Sequence, residues 1–350
     1  MLPSDIQEIA ARLRDAAPML AGKHVLITGG RGFLGRYFTK TIAALNEAGH
    51  ISPPCRVTVL DSLITAGQDG KNYEDDAHTT FVPHDIILPF PMKDRVDYIL
   101  HAAGIASPFY YRAYPLKTLE VATRGTQNML EVAREQRARM LFFSSSEIYG
   151  DPDPRHVPIQ ESYRGNVSSQ GPRACYDESK RLGETLCYIY HEQFGVSVST
   201  VRPFNVYGPG MQESDYRVLP NFANRIKAGR PLNIYGKGDQ TRTFCYITDA
   251  VVGFLLALLK GVPGESYNIG NPEPEVSMLD LAKHLEIALA RKIDYNLIEY
   301  PDSYPADEPM RRCPDIRKAR LQLGYDPTVD LNEGLRRFFS WSDTVYTGKL

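Results

Sequence analysis

Short apolar runs that stop at glycine or aspartate, each followed by a helical stretch, constrain the fold more than any other feature of this chain. His24–Thr28 (HVLIT) runs straight into glycines, and Phe33–Glu47 then has helical composition, stopped near Gly49 and Pro53-Pro54. Arg56–Leu60 (RVTVL) ends at Asp61. Further runs at Thr80–Val82, Val96–Ala102, Met140–Ser144 and Val196–Val201 alternate with helical stretches, notably Leu116–Glu135 and Tyr176–Phe194. Continuous apolar strands alternating with helices predict an α/β fold, a doubly wound parallel sheet covered on both faces.

After Pro203 the rhythm breaks into short segments punctuated by proline and glycine. Helices are expected near Asn221–Ala228 and Asp249–Lys260, a strand at Tyr267–Ile269, and two C-terminal helices. The expected organisation is an amphipathic helical extension over residues 1–22, with Ile6, Ile9, Ala10 and Leu13 at helical spacing. The sheet domain covers 23–203, and a smaller irregular α/β portion, 204–350, is interleaved with it.

Forty Lys+Arg against 42 Asp+Glu leave a charge of -2, so nucleic acid and anionic membrane are poor partners. The longest apolar stretch, Ala250–Leu259, is about half the ~20 residues of a spanning helix. Charged residues precede any long apolar run at the N-terminus, the wrong order for a secretory signal. Five scattered cysteines without a CxxC pair read as reduced thiols, and a cytoplasmic location is expected. No metal is expected.

Thr28-Gly29-Gly30-Arg31-Gly32-Phe33-Leu34-Gly35 lies between the first strand and its helix. Gly29, Gly32 and Gly35 permit a tight turn, backbone approach to a pyrophosphate and close helix–strand packing, and the helix N-terminus around Phe33 and Leu34 offers free N–H groups to the anion. In this strand–loop–helix context the loop predicts a dinucleotide-binding Rossmann domain. Asp61, closing the second strand, suits the adenosine ribose hydroxyls and favours NAD over NADP, although Arg31 and Arg36 are near enough in sequence to neutralise a 2′-phosphate. Asp85 is a candidate adenine contact or a turn residue. Ala102, in the small-residue end of the fourth strand, lies where a cofactor crosses the sheet edge.

Tyr176 and Lys180 are four apart on an expected helix and share a face. A phenol is a poor base at neutral pH unless an ammonium and a nicotinamide cation favour the phenolate. Chance alone gives about one YxxxK pair in a chain with 21 Tyr, so its meaning depends on the upstream loop. Ser145, after the fifth strand, can hydrogen-bond the oxygen that Tyr176 deprotonates, or cap a turn. Glu147 stands at the same edge.

With these residues in view, the chain resembles the extended short-chain dehydrogenase/reductase family, in its UDP-glucuronic acid decarboxylase (UDP-xylose synthase) branch, from about Lys23 to the C-terminus. The glycine loop and the Tyr176/Lys180 pair carry the broad likeness. SSSEIYGDP (144–152), GPRACYDESKR (171–181), GDQTRTFCYITD (238–249) and RRCPDIRKAR (311–320) carry the branch. The resemblance implies an NAD enzyme and a homodimer built on the Leu116–Glu135 and Tyr176–Phe194 helices. Its reaction takes UDP-glucuronate to UDP-xylose: oxidation at C4, loss of carbon dioxide from the resulting β-keto acid, and return of the hydride. It assigns Tyr176 as base, Lys180 as its activator, Ser145 to the hydroxyl, and Glu147 and Arg312 to the C5 centre. Substrate contacts fall to Arg173, Asn205, Arg217, Tyr235, Arg242 and Arg312, with Arg242 at the diphosphate, Tyr235 by the uracil, and Pro108 and Tyr111 over the sugar.

Four positions depart from the family pattern: Ser145 for Thr, Ala122 for Asn, Cys313 for a basic residue and Arg31 for a small one. A 4,6-dehydratase would need an acid before Glu147, where this chain has Ser146. A hexuronate 4-epimerase uses the same tyrosine with no call for Glu147. A non-catalytic NAD-sensing protein would have no use for Tyr176, Lys180 and Glu147 together.

Overall fold

In the computed structural model, which describes residues 1–300 and 309–349, the apolar runs form one seven-stranded sheet. Its strands are β1 (His24–Thr28), β2 (Arg56–Asp61), β3 (Thr79–Pro83), β4 (Tyr98–His101), β5 (Arg139–Phe143), β6 (Val198–Pro203) and a last strand, Ser266–Ile269. The order is Ser266–Ile269, β6, β5, β4, β1, β2, β3, and every neighbouring pair is parallel. All five residues of β1 are buried, as a strand covered on both faces requires. The strand order reverses beside β1, whose neighbours are β2 and β4, and a doubly wound sheet opens a ligand crevice at such a point. Thr28 is level with Leu60 and with His101, so Gly29, Asp61 and Ala102 emerge along one edge.

Because Ser266–Ile269 pairs with β6, the second half of the chain contributes to the main sheet. Small sheets complete it, among them one of Val276–Ser277, Thr241–Arg242 and Arg311–Arg312 that sets Arg312 opposite Arg242. Among the described residues three helices, not two, follow Ser266–Ile269: Met278–Leu289, Arg317–Leu323 and Leu331–Val345. The middle one has seven residues, about two turns, too few for a readable period. The stretch expected as one helix over 116–135 is Pro115–Glu120 and Thr126–Gln136 joined by a π-helical turn, Val121–Gly125, that contains Ala122. Gly125 packs there against Ile86, where a Cβ would lie 2.6 Å from the isoleucine Cδ1.

The N-terminal helix α1 (Pro3–Arg12) packs on α2 (Phe33–Glu47) and on the Ile247–Lys260 helix, burying Ile9 and Ala10. It also buries Asp5, which accepts hydrogen bonds from the phenols of Tyr37 (3.3 Å) and Tyr246 (3.0 Å), with the Arg337 guanidinium at 3.5 Å. Burial pushes this carboxyl up to about 6, against the pull of Tyr246 and Arg337. Arg12 pairs with Asp249 at 2.6 Å and Glu8 with Arg337 at 2.6 Å. The helix therefore ties the first half of the chain to the second. Asp5→Ala leaves two buried phenols without this acceptor, and urea unfolding should show a loss of about 2 kcal/mol.

Candidate active site

The glycine loop owes its shape to contacts that leave no room for a side chain. Gly29 has φ +70°, and a Cβ on Gly35 would lie 2.3 Å from the Gly29 carbonyl oxygen and 2.4 Å from the Gly30 Cα. The first turn of α2 thus closes directly onto the loop, with its free N–H groups at the mouth. Loop and helix open into a cleft. Gly29, Gly32, Phe33, Leu34, Gly35, Asp61, Asp85 and Ala102, all expected at the cofactor, line it.

Asp61 is fixed by two backbone donors, Arg31 N to Oδ2 (2.9 Å) and Leu63 N to Oδ1 (2.7 Å), while burial raises its pKa. Asp85 accepts from Ile87 N at 3.2 Å and pairs with Lys117. Neither Arg31 nor Arg36 lines the cleft. Arg31 lies over the rings of Phe81 (4.2 Å) and Tyr73 (4.8 Å) and pairs with Asp75 at 2.6 Å. Arg36 donates to the Gly210 carbonyl at 2.8 Å. The Arg31 guanidinium is thus engaged by Asp75 and two rings, and a cradle that only glycine fits, with an acid at the strand end, suits NAD.

The far wall of the cleft comes from the second half: Gly210, Met211, Gln212, Asp215 and Arg217. Gln212 donates to the Thr65 carbonyl at 2.7 Å and accepts from Tyr110 at 3.2 Å, and Ser107 donates to Asp215 at 3.4 Å. Asp215 also pairs with Arg217 at 2.5 Å. Sequence reasoning missed Gln212 and Asp215, because nothing in MQESDYR marks a loop that reaches back across a cleft.

Tyr176 and Lys180 sit on the first turns of the Ala174–Phe194 helix, both buried. Tyr111, in the short Pro108–Ala113 helix begun by Pro108, stacks on Tyr176 with centroids 5.4 Å apart and planes 14° apart. The Lys180 ammonium donates to the Phe143 carbonyl at 2.7 Å and lies 5.8 Å from the Tyr176 ring centre. Burial lowers it to about 8. Burial pushes the Tyr176 phenol up to about 12, against a Ser145 hydrogen bond and the Arg217 charge. The main groups favouring the phenolate here are thus Ser145 and Arg217, with Lys180 directed at a carbonyl.

Ser145 caps the 3₁₀ turn Ser146–Tyr149, accepting from Glu147 N at 3.2 Å, and so delivers Glu147 beside Tyr176. Arg312 grips Glu147 bidentately, Nη1 to Oε1 at 2.6 Å and Nη2 to Oε2 at 2.8 Å, and Arg173 donates to Oε2. Burial alone would raise this carboxyl, but Arg173 and Arg312 outweigh it and hold it well below the usual range. Arg242 neighbours Arg312 on the small sheet and donates to the Thr241 carbonyl at 2.8 Å. Asn205, at φ +41°, donates to the Thr243 carbonyl at 2.8 Å. Tyr235 stacks on Tyr300, centroids 5.5 Å apart. Neither Asn205 nor Tyr235 lines the cleft.

Residues 25–270 match the model of the NAD dependent epimerase/dehydratase family. UDP-glucuronic acid decarboxylase 1 of Xenopus tropicalis is 42% identical over 318 residues, 90% of this chain and 71% of the relative. UDP-glucuronic acid decarboxylase 6 of Arabidopsis thaliana is 38% identical over 324 residues, 92% and 90% of the two chains. Among solved structures, UDP-glucuronic acid 4-epimerase from Bacillus cereus, in complex with UDP-glucuronic acid and NAD, superposes with a TM-score of 0.76 at 27% identity, over 92% of this chain and 100% of its own. The dTDP-glucose 4,6-dehydratase DesIV from Streptomyces venezuelae, also with NAD, gives 0.78 at 26% identity, over 92% and 97%. On these likenesses and on the sheet that underlies them, the chain belongs to the NAD dependent epimerase/dehydratase family.

Proposed function

We propose that the protein decarboxylates a nucleotide-activated hexuronic acid, UDP-glucuronate to UDP-xylose, through a 4-keto sugar. The observation that carries this reading is the clasp of Glu147 between Arg173 and Arg312, two residues from the serine that meets Tyr176. Relatives at 38–42% identity named as UDP-glucuronic acid decarboxylases support the substrate.

NAD, held by the glycine loop, Asp61, Asp85 and Ala102, supplies when bound a reversible two-electron oxidant for C4 and a positive charge that favours the phenolate. Tyr176 removes the C4 hydroxyl proton while Ser145 holds the same oxygen. Lys180 adds positive charge to this end of the site. Once C4 is a ketone, the uronate is a β-keto acid. Its C5–C6 bond breaks, carbon dioxide leaves, and the electron pair moves onto the C4 oxygen. Tyr176, now protonated, donates a hydrogen bond to that enolate oxygen. Glu147 and Arg312 position the ring and assist reprotonation at C5. Arg173 and Arg312 have forks that match a carboxylate, and the substrate acid competes with Glu147 for them. Arg242 and Arg217 suit the diphosphate, Tyr235 the uracil, and Asn205, Pro108 and Tyr111 the remaining substrate contacts.

Ser146 in place of an acid disfavours the 4,6-dehydratase reading. Exposed apolar residues on two adjoining helices, Leu116 on Pro115–Glu120 and Leu182 and Tyr188 on Ala174–Phe194, support a homodimer through that face. Five free cysteines support a cytoplasmic location. Among the described residues no helix is long and apolar enough to cross a membrane.

Mass spectrometry after incubation with UDP-glucuronate should find carbon dioxide and a UDP-pentose; UDP-galacturonate alone would replace this reading with a 4-epimerase. Tyr176→Phe should lower turnover at least ~100-fold, measured as carbon dioxide release. Glu147→Ala should slow decarboxylation more than C4 oxidation, so that NADH absorbance rises above the wild-type steady state; an unchanged ratio of the two would remove Glu147 from the C5 step. In Gly35→Ala, whose methyl would press on the Gly29 carbonyl, NAD affinity measured by calorimetry should fall at least ~10-fold.

A further inference from the structure

Asp177 follows Tyr176 on the first turn of the Ala174–Phe194 helix, and the chemistry above does not use it. A first-turn acid ordinarily sits in water and complements the helix dipole. Asp177 is instead 7% exposed, and its Oδ1 is buried without a hydrogen-bond partner. Its Oδ2 lies 3.6 Å from Nε of Arg173, the guanidinium whose Nη2 donates to Glu147. Among the described residues two carboxyls thus meet at Arg173, and of the two Glu147 also has the Arg312 fork.

This inequality decides where the charge resides. A buried carboxylate with an unpaired oxygen is disfavoured far more than the neutral acid, and two carboxyls around one guanidinium do not both ionise freely. Glu147, with two guanidiniums, keeps the negative charge. Burial and the Glu147 charge push Asp177 well above the usual carboxylate range, opposed by Arg173 and Arg312. Among the described residues, the charged groups acting most on it are Glu147 from the Ser146–Tyr149 turn, Arg173 from just before its own helix and Arg312 from the small sheet. An ionised Asp177 would also oppose loss of the Tyr176 proton.

We propose that Asp177 is a positioning residue that works as a neutral acid, leaving Arg173 on Glu147 and no second negative charge beside Tyr176. Ionisation draws Arg173 from Glu147 to Asp177 and holds the phenol proton more tightly. A raised acid keeps its proton at low pH and loses it as pH rises, so the loss of function falls on the alkaline side. The assignment rests on the decarboxylase reading for its substrate only.

The experiment follows kcat and KM for carbon dioxide release from UDP-glucuronate between about pH 6 and pH 9.5. Wild type should lose kcat about tenfold per pH unit on the alkaline side, with little change in KM. Asp177→Asn, neutral at every pH and of the same shape, should match wild type within about threefold at the acid end and lack the alkaline limb. Asp177→Glu should retain that limb. Asp177→Ser, smaller and equally neutral, gives the same reading if the Asn variant does not fold. An alkaline limb unchanged in the neutral variants, or activity lost in them at every pH, overturns the proposal. If wild type releases no carbon dioxide, the decarboxylase reading fails on its own. The pH comparison is then read from NADH formed with the UDP-sugar the protein does oxidise, and identical limbs there overturn the role of Asp177.

Discussion

The site depends on keeping the half-buried Glu147 carboxylate charged beside two other acidic groups, the Tyr176 phenol and Asp177. Desolvation of a buried ion pair often exceeds its Coulomb attraction, so one guanidinium is a poor guarantee of ionisation. Two of them, Arg312 in a bidentate grip and Arg173 at the second oxygen, reverse that balance. The charge so secured spreads its influence. It opposes ionisation of both Tyr176 and Asp177, and it occupies the two forks that a uronate acid would seek.

Such an arrangement needs parts from distant segments of the chain. Glu147 arrives on a turn at the end of β5, Arg173 just before the Tyr176 helix, and Arg312 on a three-stranded sheet formed late in the sequence. The main sheet supplies the fixed reference, because its parallel register brings Gly29, Asp61 and Ala102 to one edge. The last strand then returns from the second half to pair with β6. Arg242 and Arg312 are held next to each other as backbone partners and do not depend on loops for their relative position.

The sheet was legible because continuous apolar runs such as HVLIT can be buried on both faces and little else can. The glycine loop was legible for a related reason: at Gly35 the structure leaves no space for a methyl group. Tyr176 with Lys180 was legible as helical spacing, and the resemblance to the decarboxylase branch supplied Arg312 and Arg173, which no local pattern marks. What escaped were features made by tertiary contact alone. Asp177 reads as an ordinary first-turn acid until its burial is known. Arg31 and Arg36 lie beside the loop in sequence, yet turn away to Asp75 and to the Gly210 carbonyl. The π turn around Ala122 and the seven-residue helix Arg317–Leu323 leave too little periodicity to be seen.

The fastening of Gln212 to Thr65 and Tyr110, with Ser107 bonded to Asp215, bears on how long a guest stays. These links join the two walls of the groove, so any parting of the walls must sever them as a group. A widening of the groove at this point would cost all three hydrogen bonds together, on top of any contacts made by what lies inside.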